Sequence, residues 1–296
     1  MIRYIKRKNL DVLKYDNCIE NSLQSRVYAF SWYLDIVSEN WDVLVVDDYD
    51  AVMPIPWKKK YFLKYVAQPF FCQQLGIFSK GNISRELQEK MLKNIPKKFV
   101  KVSINFNSCN VLNDKVKLNN NYLLKIEKLY EGNYKKFNKN RKRDLKKARL
   151  LNLIFEENLA AKDFYDFYLL NDKNYSNHIS MKEVLQNILT LKTNGVRCFG
   201  IRSEQKLIAC VLLLDDGKRI TYLVPVSNHL GKKNGAATLL ISEIIKKYKN
   251  KDYFLDFEGS MISGVAKFYE SFGSEKENYS VFSKSVFFSL FGIFLL

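Results

Sequence analysis

The stretch 219–273, RITYLVPVSNHLGKKNGAATLLISEIIKKYKNKDYFLDFEGSMISGVAKFYESFG, constrains the fold more than any other part of this chain. β-Branched and aromatic residues over 220–226 predict a strand, polar residues 227–234 a loop, and Leu239, Leu240, Ile244 and Ile245 recur at helical spacing. A second strand is expected over 253–257 and a last helix carrying Val265, Phe268, Tyr269 and Phe272. This order belongs to an open α/β sheet, in which ligands gather at strand ends.

Two groups of candidate residues follow. Gly235, Ala236 and Ala237 stand where the first helix begins, so no side chain blocks an anion from its free N–H groups and positive dipole end. Lys232 and Lys233 add positive charge there, and Asn234 completes the stretch. At the end of the second strand lie Asp256 and Glu258, two apart and therefore on one face if the chain is extended. Glu258 is the first candidate for base or positioning work, and it could equally fix the turn at Gly259 and Ser260. No G-x-S-x-G elbow surrounds Ser260, which excludes a hydrolase nucleophile of that kind.

The spacing Lys232-x-x-Gly235-x-Ala237 resembles the pyrophosphate-binding loop of the GNAT acyltransferases, with Lys at the position where that family has Gln or Arg. Asp256-Phe-Glu-Gly-Ser260, followed by Gly264, Phe268 and Phe272-Gly273, is similar to the Fem-type peptidyltransferases and FemAB-like acyltransferases. Lys142-x-x-Leu145-x-x-Ala148 looks like the Fem-type Arg-x-x-Ile-x-x-Ala helix, with Lys for Arg. The resemblance implies an α/β (α+β) chain of two tandem GNAT-like domains, each a mixed sheet flanked by helices. It implies a transferase moving an acyl group from an acyl-CoA donor to an amine or hydroxyl, such as that of a cell-envelope precursor. An aminoacyl-tRNA donor is the alternative, and a silent binding protein is the third reading. GNAT enzymes often carry a Tyr four residues after an Ala in the last helix. Here Tyr269 follows Ala266 by three, and it is the candidate proton donor.

With 296 residues, two domains are expected, an N-terminal one over 1–118 and a C-terminal one over 119–296. The 48 Lys and Arg against 31 Asp and Glu give +17, which suits phosphates, nucleic acid or an anionic membrane face, or reflects a Lys-rich compositional habit. Five scattered cysteines without a C-x-x-C pair, and two histidines, suggest neither a disulfide framework nor a metal site. A charged N-terminus argues against export and for a cytoplasmic protein. The apolar tail 286–296 has eleven residues, short of the roughly 20 that span a bilayer, and is expected as a final strand or turn.

In the first half, a helix is expected over 28–37, a hairpin over 41–56, strands over 63–66 and 99–106, and a helix over 84–94. Trp57, with Lys58–Lys60, and Gln73 and Gln74 could line an acceptor groove; alternatively Phe70 and Phe71 are core, Lys58–Lys60 a solvated hairpin end, and Gln73 and Gln74 turn caps. In the second half, 130–151 predicts one long basic helix. Lys142 and Arg143 within its 135–149 segment could hold phosphate, tRNA included, or form a solvated face. Further helices are expected over 160–172 and 181–193, the latter with Ser180 and Glu183 at capping-box spacing, and three strands over 197–226. His178 is read as a surface or capping residue and His229 as orienting the turn or a phosphate, neither as a base.

Overall fold

The computed structural model describes residues 1–110, 112, 116–172, 179–191 and 195–285. The chain divides into two compact units: Met1–Asn119 together with residues from Asn278 on, and Asn120–Glu277. The division near residue 119 is followed by a return of the chain to the first unit at its end, which no local sequence signal announces.

The first unit contains β1 (Ile2–Lys6), α1 (Val12–Glu20), α2 (Ser31–Val37), β2 (Asn40–Val46), β3 (Ala51–Lys60), β4 (Leu63–Val66), β5 (Phe78–Ser79), α3 (Arg85–Lys93) and β6 (Phe99–Asn105). Its strands run β1-β2-β3-β4-β6, with β5 on β3. All pairs are antiparallel except β4 with β6. Val43, Leu44 and Val45 of β2 are fully buried in succession, which explains an uninterrupted apolar run in place of alternation. Asp11 caps α1 by accepting from the Lys14 amide at 3.1 Å, and Ser84 caps α3 through the Leu87 amide at 3.2 Å. The helix expected over 28–37 starts only at Ser31, after a 3-10 turn Val27–Ala29.

The second unit contains β7 (Lys117–Lys125), α4 (Tyr130–Lys136), α5 (Lys139–Leu150), β8 (Ile154–Glu156), α6 (Ala161–Asn171), α7 (Ile179–Thr190), β9 (Val196–Ser203), β10 (Lys206–Asp215), β11 (Arg219–Ser227), α8 (His229–Lys233), α9 (Ala236–Tyr248), β12 (Phe254–Asp256) and α10 (Ser263–Glu270). Its strands run β7-β12-β11-β10-β9-β8. Only β11 and β12 are parallel, joined by the crossover through α8 and α9. The apolar face of α9, including Leu239, Leu240, Ile241, Ile244 and Ile245, closes one core with Phe199, Ile201, Val211 and Leu213 of the sheet. A final strand, β13 (Glu275–Ser285), leaves this unit and pairs antiparallel with β6 over residues 281–285.

Three sequence expectations need correction. The helix over 130–151 is two helices, because Phe137 turns extended (φ −62°, ψ 132°) to bury its ring against Phe272 at 5.0 Å. Asn138 then caps α5, accepting from the Arg141 amide at 3.0 Å. Ser180 does not cap α7, which begins one residue earlier at Ile179. The polar turn 227–234 contains α8, capped by Asn228 through the Gly231 amide at 2.8 Å. His178, the end of the helix expected over 181–193, and the tail 286–296 lie outside the described residues.

Candidate active site

The second unit's sheet opens at one point. β11 and β12 are in register over only three pairs, Arg219↔Phe254, Ile220↔Leu255 and Thr221↔Asp256. Beyond Asp256 the chain stays with β7, the Phe257 amide donating to the Tyr122 carbonyl at 3.0 Å, while β11 continues to Ser227 against β10. The far half of β11 thus loses its parallel neighbour at the carboxyl end of the parallel pair, the place where open α/β sheets receive ligands. Pro225, the exposed residue of β11, fits an edge there because it has no amide to donate.

Asp256 sits at the parting point and is 1% exposed. Its carboxylate accepts from the Arg219 guanidinium at 2.5 Å and from the Glu258 amide at 2.9 Å. Burial works against the charge on Arg219, but the facing Asp256 more than offsets it and holds the guanidinium above its ordinary pKa. Both carboxylate oxygens of Asp256 are therefore engaged in fixing the turn. Glu258 is not on the same face by strand alternation, since β12 ends at Asp256 and Glu258 is left-handed (φ 56°). Gly259 follows at φ 67°, where an added Cβ would strike the Asn120 carbonyl, so only glycine fits. A non-glycine residue held at positive φ beside a buried ion pair is a strained position of the kind found at functional sites.

Tyr269, on α10, stacks on Phe257 with centroids 4.5 Å apart and interplanar angle 13°. Tyr222 of β11 meets it at 6.4 Å. Burial first, then the negative charge of Glu258, push the Tyr269 phenol well above its ordinary pKa. It stays protonated through the physiological range. The structure brings together Asp256, Glu258 and Tyr269, and adds Arg219 and Phe257, which sequence reasoning missed. The signal for Arg219 was a lone cation opening an apolar strand; its partner became visible only with the register of β11 and β12.

The second predicted group is arranged differently from an open anion cradle. Lys232 and Lys233 are exposed in the last turn of α8, Asn234 ends that helix, and Gly235 (φ 74°) precedes α9 without a side-chain cap. An added Cβ at Gly235 would lie 2.8 Å from the Asp144 carbonyl oxygen of α5. Arg141 donates to the Thr238 hydroxyl at 3.1 Å and Lys147 to the Lys233 carbonyl at 2.9 Å. Ala236 and Thr238 are buried and Ala237 is half-buried. Gly235 is small because α5 packs against it, with the Asp144 side chain beside it, while Asn234, Gly235 and Ala237 stay half-exposed.

What α5 does expose is charge. Arg143, Lys146 and Arg149 line a shallow depression with Tyr134, Lys142 and Leu150. The Lys142 ammonium lies 5.4 Å over the Tyr134 ring and donates to the Lys135 carbonyl at 3.2 Å, while the Arg143 side chain is 76% exposed.

In the first unit, the Trp57 indole donates to the buried Asp42 carboxylate at 3.0 Å and packs on Phe99. Gln74 has no exposed surface; its amide donates to Gln73 Oε1 at 2.7 Å and accepts from the Ser108 amide at 3.2 Å. Gln73 is half-buried. Trp57 and Gln74 thus serve the packing of this unit. No group of three His, Cys, Asp or Glu residues able to hold a metal ion occurs among the described residues. No helix among them is long and apolar enough to cross a membrane.

Neither protein-family models nor curated protein sequences match this chain. Its fold is shared with solved structures. FemX is similar at 10% identity with TM-score 0.70, covering 98% of this chain and 100% of that one. The C-terminal domain of a protein designated lysylphosphatidylglycerol synthetase, from Agrobacterium fabrum, is 12% identical with TM-score 0.60, covering 92% and 90%. A tandem GNAT protein from the clavulanic acid biosynthesis pathway is 8% identical with TM-score 0.56, covering 97% and 99%. The chain has the FemAB-like, tandem GNAT-like α/β fold.

Proposed function

We propose that this protein is an acyltransferase whose second unit transfers an aminoacyl group from tRNA to an amine or hydroxyl acceptor. The observation that carries the reading is the parting of β11 from β12 at Thr221 and Asp256, which leaves the far half of β11 without a parallel partner beside Glu258 and Tyr269. Unpaired strand amides there can orient a carbonyl and stabilise the oxyanion as the acceptor adds. Glu258 takes the proton released by the attacking nitrogen or oxygen, which bonds to the acyl carbon. The ester C–O bond then breaks, and Tyr269 protonates the leaving ribose oxygen. Asp256 is a positioning residue that holds the Glu258 amide and Arg219.

The donor follows from charge. The exposed Arg143, Lys146 and Arg149, with Lys142, offer an RNA backbone several contacts at once. A cytoplasmic location is the one that donor requires. The acceptor belongs to the same proposal: the name lysylphosphatidylglycerol synthetase describes a product aminoacylated on a lipid hydroxyl, and a lipid or another cell-envelope precursor is the acceptor class we infer here. A second reading, an acyl-CoA donor, is favoured by exposed Lys232 and Lys233 at the mouth of the crossover.

The test is transfer of radiolabelled amino acid from a mixed aminoacyl-tRNA pool to a membrane-lipid and precursor extract, run beside acetyl-CoA. Transfer from tRNA that falls roughly a hundredfold in Glu258→Gln supports the proposal. Turnover with acetyl-CoA alone moves the second reading ahead of it. Calorimetric binding without turnover from either donor leaves a binding protein and sinks both.

A further inference from the structure

The hairpin joining β3 to β4 closes on two residues, Tyr61 and Phe62, with Lys60 paired to Leu63 across its base. Both loop residues point into water, 82% and 83% exposed. Two-residue hairpin loops are ordinarily made of Gly, Asn or Asp, since the turn needs positive φ, and Tyr61 is held at φ 54°. Directly behind the tip, Lys59 faces Lys64 across the ladder, a like-charge pair that weakens a sheet. Lys58 and Lys60 complete four cations in seven residues, and the segment 51–85 has no Asp or Glu. Cationic side chains lean on rings instead: Lys64 over Trp57 at 4.7 Å and Lys58 over Phe70 at 5.1 Å. Turn chemistry and cross-strand charge are both sacrificed at one spot. Local rules broken together at one exposed spot point to function.

We propose that this hairpin tip docks on an anionic lipid surface, with Tyr61 and Phe62 entering the boundary between headgroups and acyl chains. Lys58, Lys59, Lys60 and Lys64 face the phosphates. Aromatic side chains settle at that boundary, and basic residues near it are attracted to anionic lipid. A membrane contact of this size needs both signals, apolar insertion and charge, and the hairpin supplies both within seven residues. A solubilising lysine cluster would not place Tyr and Phe at its apex. Nucleic acid is the less suitable partner, because single strands are held in grooves with aromatic floors, whereas this tip is convex. The inference is independent of the acyl-transfer reading.

The experiment is co-sedimentation of the full chain with vesicles of phosphatidylcholine, with and without phosphatidylglycerol, and with tRNA as a soluble competitor. Binding is expected only to the phosphatidylglycerol vesicles and is expected to weaken about tenfold in Tyr61→Gly/Phe62→Ser and in Lys59→Glu/Lys60→Glu. The first variant gives the turn residues it prefers, so an unchanged or raised melting temperature shows that lost binding is not lost folding. In Phe62→Trp, added fluorescence should be quenched by lipids brominated on their acyl chains. Equal binding to both vesicle types, full binding by Tyr61→Gly/Phe62→Ser, no quenching in a bound Phe62→Trp, or no vesicle binding at all would each overturn the proposal. So would a tip that binds tRNA but no vesicle.

Discussion

Glu258 and Asp256 look equivalent in the sequence, yet the structure gives them opposite tasks. Asp256 is locked between Arg219 and the Glu258 amide. Removing one member of this buried pair leaves the other charge unpaired, so Arg219→Ala should destabilise the protein by about 3–5 kcal/mol, read as a lower urea midpoint at unchanged slope. Glu258→Gln should leave that midpoint nearly unchanged while lowering kcat. Tyr269→Phe should also lower kcat, and the alkaline limb of the wild-type rate profile should show no titration near pH 10, because burial and Glu258 keep the phenol protonated above that range. A limb at about pH 10 that vanishes in Tyr269→Phe would show that the phenol titrates as an ordinary tyrosine. Gly235→Ala tests a different assignment. With Asp144 against it and φ at 74°, the substitution should cost about 1–3 kcal/mol of stability through strain, and leave donor affinity per folded molecule unchanged.

At the scale of elements, α5 is the surprise. Its sequence is an unbroken extension of α4 in charge and spacing, and nothing local shows that Phe137 leaves the helix to bury its ring on Phe272. The break sets α5 against the start of α9, where Arg141 bonds Thr238, Lys147 bonds the Lys233 carbonyl and Asp144 lies against Gly235. Asn138→Ala should therefore cost about 1 kcal/mol through lost capping of α5. Charge reversal at Arg143 and Lys146, both outside that helix contact, should weaken tRNA binding and reduce the slope of log affinity against log salt by about 2. An unchanged slope would remove α5 from donor binding. Several strands, by contrast, were legible to within a residue or two, as for β4 at Leu63–Val66, whereas β3 runs past the expected hairpin end at 56 to Lys60 and β13 was not foreseen. β1 and α1 were not foreseen, because β1 is a charged, mostly half-exposed strand and α1 has an interrupted apolar face.

For the whole molecule, the buried tyrosines and thiols set a pH window. Burial pushes Cys18 up to about 11 and Cys198 up to about 12, and holds Tyr222 and Tyr269 well above their ordinary value. In the unfolded chain these groups ionise from about pH 8.5 for cysteine and about pH 10 for tyrosine. Between those values and the folded ones the native state binds more protons than the unfolded state, so stability is fully present below about pH 8.5 and falls as pH rises. Urea midpoints measured from pH 8 to pH 11 should decline steadily; a flat series would show that these groups ionise in the native state. The sequence by itself determined the alternation of strands and helices, the tandem α/β class and the neighbourhood of the acidic strand end, because side-chain periodicity and turn chemistry are local. Only the tertiary structure decided which carboxylate is buried in an ion pair, that β11 parts from β12 after three residues, and that α5 packs against Gly235. Those outcomes rest on register and on contacts between residues far apart in the chain, such as Arg219 with Asp256 and Arg141 with Thr238, which no spacing within a single element records.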